Sequence, residues 1–146
     1  MSKQLQMVAK LELEKEDKAA MAYQQAQAYV AENQQRLEGL VQYRTDYFHK
    51  IQDKAAGGLE ALSFTHHKSF ITKLDKACEQ QQNIVNDAKK AAEQRKLQWL
   101  EQQKKRKAVE MLLDKKAQAL QAKIAREEQN AADEFAVQKF IRAKSK

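Results

Sequence analysis

Proline is absent from this chain of 146 residues, and glycine occurs only three times. These two residues interrupt helices, proline by removing a donor and crowding the preceding turn, glycine through its backbone entropy. Their scarcity leaves long stretches with nothing to break a helix. β-Branched residues are few and aromatics make up 7%, so the side chains that favour a sheet are largely missing. A single cysteine, Cys78, excludes an intramolecular disulfide framework and is compatible with a reducing compartment. No apolar run approaches the roughly 18–20 residues needed to span a bilayer, so no transmembrane segment is expected. Glu12, Glu14, Glu16 and Asp17 follow the first few apolar residues closely. That opening does not read as a signal peptide, and a cytoplasmic location is expected. Catalytic signatures are lacking too: there is no phosphate-cradling glycine loop, no nucleophile elbow and no paired metal-ligand motif. His66 and His67 are neighbours that point to different sides of a helix, and with His49 they make a poor ligand set. The expectation is therefore no enzyme, no cofactor and no metal.

What remains is a chain dominated by Ala, Gln, Lys, Glu and Leu, with 32% charged residues. This is the composition of long helices and coiled coils rather than of a thick core. Gly57 and Gly58 stand together in otherwise unbroken helical sequence. Glycine readily takes positive φ and is unfavourable inside a helix, so the pair marks a reversal. The predicted fold is all-α, an antiparallel two-helix coiled-coil hairpin forming one domain. The first helix spans 2–54, the bend 55–62 and the longer second helix 63–143, with Ser63 and Thr65 as candidate N-caps.

Both arms carry apolar stripes at three- and four-residue steps. In the first arm the stripe is Ala19, Ala22, Ala26, Tyr29, Asn33, Leu37, Leu40, Tyr47 and Ile51. Consecutive steps of four around Asn33 predict a slip in the heptad there. Asn33 itself is placed to select register at some expense of stability. Leu5, Val8, Leu11 and Leu13 precede this stripe and predict a helical but less firmly packed end. The second arm alternates strictly through Ile71, Leu74, Cys78, Gln81, Val85, Ala88, Ala92, Arg95, Trp99, Gln102, Arg106, Val109, Leu113, Lys116, Leu120 and Lys123, which is a strong coiled-coil signal. Cys78 on that seam reads as a small buried hydrophobe.

Folding the chain about residue 59 makes partner numbers sum to about 118, since both arms rise about 1.5 Å per residue. Leu40 then meets Cys78, Ala26 meets Ala92, and Ala19 meets Trp99. The first helix runs out opposite residue 115. Some thirty residues from Lys116 onward, with Leu120, Ile124, Phe135, Val137, Phe140 and Ile141, are left to overhang as a docking segment or a frayed tail, and docking is favoured because an isolated helix is marginal in water. Near the bend, Leu40, Tyr43 and Tyr47 from one arm and Phe70, Leu74 and Ala77 from the other form an apolar patch too large for a two-helix seam to bury. Exposed clusters of this kind mark protein interaction sites.

Charge is divided unevenly. Residues 1–55 carry eight basic and eight acidic side chains, and the remainder carries nineteen and twelve, so the whole net charge of +7 belongs to the second arm. Its densest part, 89–107, holds Lys89, Lys90, Arg95, Lys96, Lys104, Lys105, Arg106 and Lys107 against Glu93 and Glu101. An acidic partner (a protein surface, nucleic acid or an anionic membrane) and a merely solvated helical face both fit this pattern. A basic adaptor for nucleic acid or anionic lipid is thus an alternative function. Against nucleic acid stands the absence of aromatics interleaved among these lysines, for Trp99 is alone and on the seam.

The order and spacing of several stretches resemble the FliJ family of the bacterial flagellar type III export apparatus. They are residues 36–47 (RLEGLVQYRTDY), residues 70–77 (FITKLDKA), Trp99 with its basic follow-on, and residues 127–135, with Asp133-Glu134-Phe135-Ala136 near the C-terminus. The resemblance covers nearly the whole chain. It implies a hairpin similar to the central stalk of rotary ATPases, inserted into the hexameric flagellar export ATPase. It further implies contacts with the cytoplasmic domain of the export gate, escort of export chaperones, and the ATPase regulator as a further candidate partner. No nucleic acid is implied. The implied location is the cytoplasmic face of the inner membrane at the flagellar base. Carried onto this sequence, the gate-binding surface falls on Arg36, Leu40, Tyr43, Tyr47, Phe70, Leu74, Ala77 and Gln81, where Arg36 and Gln81 depart from the family's residue types. The ring-docking part falls on Leu5, Val8, Leu11, Leu120, Ile124, Phe135 and Phe140. The stalk of a related virulence secretion system is a further alternative.

Overall fold

Two helices account for nearly all of the backbone in the computed structural model, which describes residues 2–58 and 60–145. Helix α1 spans Ser2–Ala56 and α2 spans Ala61–Lys144, and the two pack against each other. The absence of proline and the run of strong helix formers explain their length. The reversal between them is short. At the end of α1 the Gly57 N–H donates to the Lys54 carbonyl at 3.1 Å and the Gly58 N–H to the Ala55 carbonyl at 3.2 Å. Gly58 adopts φ of 89°, a left-handed conformation that favours glycine. The carbonyl of Glu60 accepts the Phe64 N–H at 3.0 Å, which opens α2 ahead of the expected start. Ser63 and Thr65 therefore lie inside the first turns of α2 and do not cap it. Leu59, the expected centre of the fold-back, lies outside the described residues.

The chain divides into two units. One comprises Asp17–Glu101, and the other combines Met1–Glu16 with Gln102–Lys146.

In the unit Asp17–Glu101, the inward positions of α1 are Ala19, Tyr23, Ala26, Val30, Asn33, Leu37, Leu40, Arg44, Tyr47 and Ile51, all buried or half-buried. This is an unbroken three-four alternation. The predicted slip does not occur, because Val30 takes the seam position and Tyr29 stands 53% exposed. Facing it are His67, Ile71, Leu74, Cys78, Gln81, Val85, Ala88, Ala92 and Trp99. Val85 is fully buried, and enclosing a side chain of that size stabilises by about 1.5–3 kcal/mol. Arg95 departs from this seam. It is exposed and donates to Gln98 on its own helix at 3.3 Å. The number sums of cross-helix partners run from 113 for Tyr43 with Phe70 to 122 for Tyr23 with Trp99, bracketing the expected 118. Trp99 stacks on Tyr23, with centroids 5.8 Å apart and an interplanar angle of 22°. The ring it meets is thus one turn beyond Ala19.

A polar pair is set deep in this seam. Asn33 is 2% exposed. Its amide donates to the Tyr29 carbonyl at 2.9 Å, and Gln81 Nε2 donates to both the Asn33 backbone carbonyl and Oδ1, at 3.0 and 3.1 Å. Buried polar groups need such partners, and here each is supplied by the opposite arm or the preceding turn.

In the other unit the seam is polar. The inward positions of α1 are Leu5, Ala9, Glu12 and Glu16, facing Gln102, Arg106, Val109 and Leu113. Gln102 Nε2 donates to Glu12 Oε2 at 2.5 Å and to the Glu12 carbonyl at 3.1 Å. The Arg106 guanidinium pairs with Glu16 and, through Nη1, with Glu110 at 2.8 Å. Glu16 is 8% exposed, which is tolerable for a carboxylate held by a guanidinium. The pairing raises the Arg106 pKa further, chiefly through the hydrogen bond to Glu16. Val8, Leu11 and Leu13 are exposed, as are all described residues from 114 to 145, Lys116, Leu120 and Lys123 among them. The α2 seam therefore ends at Leu113, short of Lys123.

Candidate functional site: an aromatic patch beside the turn

The residues expected to bind the export gate come from two short helical segments, 36–47 of α1 and 70–81 of α2, within the unit Asp17–Glu101. Antiparallel pairing sets Tyr43 and Tyr47, one turn apart on α1, on either side of Phe70. Tyr47 meets the Phe70 ring edge to face at 4.7 Å, and Tyr43 meets it at 6.5 Å with an interplanar angle of 78°. Such arrangements suit the aromatic quadrupole and add about 0.5–1.5 kcal/mol beyond area burial. Phe70 thus bridges both tyrosines. Tyr43 is 52% exposed and Phe70 37%, so the cluster offers ring surface to solvent. Tyr43, Asp46, Tyr47 and Lys50 line a shallow hollow of about 140 Å³.

The remaining expected residues divide by depth. Leu74 is buried in the seam, Leu40, Tyr47, Ala77 and Gln81 are half-buried, and Arg36 is exposed. Arg36 pairs with Glu32 on its own helix at 2.8 Å. The Gln81 amide is directed at Asn33, so its contribution is to the seam beneath the patch.

Two features of the patch were not foreseen. His67 is half-buried, with Nδ1 2.5 Å from the Tyr47 hydroxyl and its ring 5.6 Å from the Tyr47 ring. One hydrogen bond thus fixes the rotamer of a ring that also packs on Phe70. Arg44 reaches across to Asp75, and this contact raises the Arg44 pKa through the hydrogen bond first and the charge second. Extending the α2 stripe back four residues from Ile71 reaches His67, and filling the gap between Leu40 and Tyr47 at the three-four spacing reaches Arg44. Neither is apolar, and a search for apolar stripes passes over both.

The expected ring-docking residues belong to the other unit. Leu5 is half-buried and lines a groove of about 650 Å³ with Gln6, Leu113, Lys116, Ala117, Leu120 and Lys123. Val8, Leu11, Leu120, Ile124, Phe135 and Phe140 are exposed. The Lys144 ammonium lies 5.2 Å from the Phe140 ring centroid, a cation–π contact on one helix face.

Among the described residues no group of three or more His, Cys, Asp or Glu side chains is arranged to hold a metal ion, and no helix is long and apolar enough to cross a membrane. No curated protein and no solved structure matched the chain. The family model of the flagellar FliJ protein matches residues 1–145. This match over nearly the whole length shows that the chain belongs to the FliJ family, components of the flagellar protein-export apparatus.

Proposed function

We propose that this chain is a mechanical coupling element of flagellar export and acts by binding rather than by catalysis. The unit built from Met1–Glu16 and Gln102–Lys146 docks into the ring of the hexameric export ATPase. The aromatic patch of the other unit engages the cytoplasmic domain of the export gate, and the chain escorts emptied export chaperones between cycles. Docking promotes ring assembly and links ATP turnover to export at the cytoplasmic face of the inner membrane. The observation that carries this reading is the Tyr43–Phe70–Tyr47 cluster. Three rings share one partly exposed surface beside a turn, in a family of export components. Aromatic side chains in such a setting are typical anchors of protein interfaces.

The test separates the two surfaces. Tyr43→Ala with Tyr47→Ala should abolish binding to the purified gate domain and leave stimulation of the export ATPase unchanged. Full-strength gate binding by the double variant would refute the assignment of the patch.

A further inference from the structure

The paired half of the unit Met1–Glu16/Gln102–Lys146 mixes polar with apolar side chains in its seam and leaves large apolar ones outside. Its seam holds Glu12, Glu16, Gln102 and Arg106, whereas Met7, Val8, Leu11, Leu13, Met111 and Leu112 are exposed. A seam of this kind withdraws negative charge from the surface. Glu12 and Glu16 are engaged by Gln102 and Arg106, while Lys10, Lys104, Lys105, Lys107 and Lys115 stand in solvent. The unit carries fifteen Lys and Arg against nine Asp and Glu, hence +6, whereas Asp17–Glu101 carries twelve against eleven, hence +1. Nearly all the net charge of the protein therefore belongs to this unit, which also exposes these apolar side chains.

The two properties coincide on one stripe of α2. At 100° per residue, Lys104, Lys107, Ala108, Met111, Leu112 and Lys115 share the face opposite Gln102, Arg106, Val109 and Leu113. All six are exposed, and none of the three lysines has a carboxylate partner in an ion pair among the described residues. Ala108, Met111, Leu112 and Lys115 line a hollow of about 240 Å³ on this face. From Lys104 to Lys115 the helix rises roughly 16 Å.

We propose that this stripe is an interaction surface whose partner is a protein wall with an apolar centre flanked by carboxylates. Charge complementarity selects that chemistry, because three unpaired ammonium groups bracket the apolar side chains, while Glu110, paired with Arg106, and Asp114 fall to one flank of the face. The proposal rests on the reading that this unit docks into the export ATPase ring, and it specifies what that ring must present. The charges steer and orient the encounter, and the central Met111 and Leu112 contribute the desolvated contact.

The test compares the intact chain with two surface variants, Lys104→Glu/Lys107→Glu/Lys115→Glu and Met111→Ser/Leu112→Ser. Neither touches the seam, and far-UV circular dichroism should show unchanged helicity for both. Binding to the purified export ATPase hexamer is measured at 50 and 300 mM NaCl. Wild-type affinity should fall steeply with salt. The charge-reversed variant should bind at least about tenfold more weakly at low salt and respond little to added salt. The serine variant should bind more weakly while keeping the wild-type salt dependence. Wild-type binding that ignores salt, or undiminished binding by the charge-reversed variant, would overturn the proposal and leave ring docking standing. Failure of the wild type to bind the hexamer at any salt would instead sink the docking reading itself. If the charge-reversed variant retains hexamer binding but loses binding to phosphatidylglycerol vesicles, the stripe belongs to a bilayer surface and the proposal is wrong.

Discussion

Replacing Gln81 by Leu removes the donor to both the Asn33 carbonyl and Asn33 Oδ1, at 3.0 and 3.1 Å. Asn33 is 2% exposed, so its Oδ1 is left in an apolar seam without a partner. Leaving one buried acceptor unsatisfied costs about 1–3 kcal/mol. A Leu side chain at a half-buried site recovers part of this by covering apolar surface, so Gln81→Leu alone should destabilise by about 1–2 kcal/mol. Replacing Asn33 by Leu as well removes the stranded acceptor. Apolar substitution of both partners is commonly neutral or stabilising, so the double variant should be at least as stable as the wild type. The coupling energy of the cycle should therefore reach about 1–2 kcal/mol. Trp99 is the sole tryptophan and lies in the same unit, stacked on Tyr23, so its fluorescence in a urea titration follows the right transition. A double variant less stable than either single one, or a coupling near zero, would refute the view that this pair sacrifices stability for register. The same cycle bears on the gate surface. An effect of Gln81 substitution on gate binding that disappears when Asn33 is also replaced would locate the role of Gln81 in the seam.

Two further predictions concern the turn and the polar seam. Gly58→Ala forces a side chain into φ of 89° and should destabilise by about 1–2 kcal/mol, whereas Gly57→Ala meets nothing closer than the Lys54 carbonyl at 3.5 Å and should be tolerated; thermal unfolding of the two variants separates them. The Glu12 carboxyl is held below its ordinary value, first by the hydrogen bond from Gln102 and less strongly by Lys15 and Lys105. Because the folded value is depressed, the stabilisation is fully present above the unfolded value near 4.5 and is lost as pH falls through the lower folded value. Gln102→Leu should raise the Glu12 titration midpoint, read from its carboxyl carbon by NMR, and an unmoved midpoint would contradict this.

The hairpin was legible in the sequence because its signals are redundant. Two adjacent glycines in proline-free helical sequence, a three-four stripe on each arm and a pairing sum near 118 all point to one topology. The seam of α2 was legible from Ile71 to Leu113, Arg95 excepted, for the same reason. The first arm was harder, and two particular choices show why. Tyr29 and Val30 are neighbours and both apolar, so choosing Tyr29 breaks the alternation into a slip that the molecule does not have. Before Ala19, hydrophobicity points to Val8, Leu11 and Leu13, yet the inward positions are Ala9, Glu12 and Glu16. The burial of those two glutamates depends on Gln102 and Arg106, ninety positions further along the chain, and the hydrophobicity of one arm carries no trace of it. A stricter signal was present. Counting back from Ile51 in alternate steps of four and three lands on Glu16, Glu12 and Ala9, and the facing arm had already placed Gln102 and Arg106 on its own stripe.

The patch was legible as composition and spacing, though its internal arrangement was not. That Tyr43 and Tyr47 share Phe70 follows from the antiparallel register. The contact of Tyr47 with His67 and that of Arg44 with Asp75 depend on side-chain rotamers, which spacing does not specify.

The unbroken alternation from Leu5 to Ile51 restricts how this chain can change in length. Inserting one residue anywhere within that span rotates everything on one side of it by 100° about the helix axis. An insertion between Glu16 and Ile51 would thus turn Glu12 and Glu16 away from Gln102 and Arg106. Seven residues added to α1 restore its phase but displace it by two turns, so α2 must gain seven at the facing position. Growth of the paired arms therefore comes in matched heptads, while single-residue insertions and deletions are confined to the turn after Ala56 and to the exposed stretch beyond Leu113. In this hairpin, length is a quantised variable.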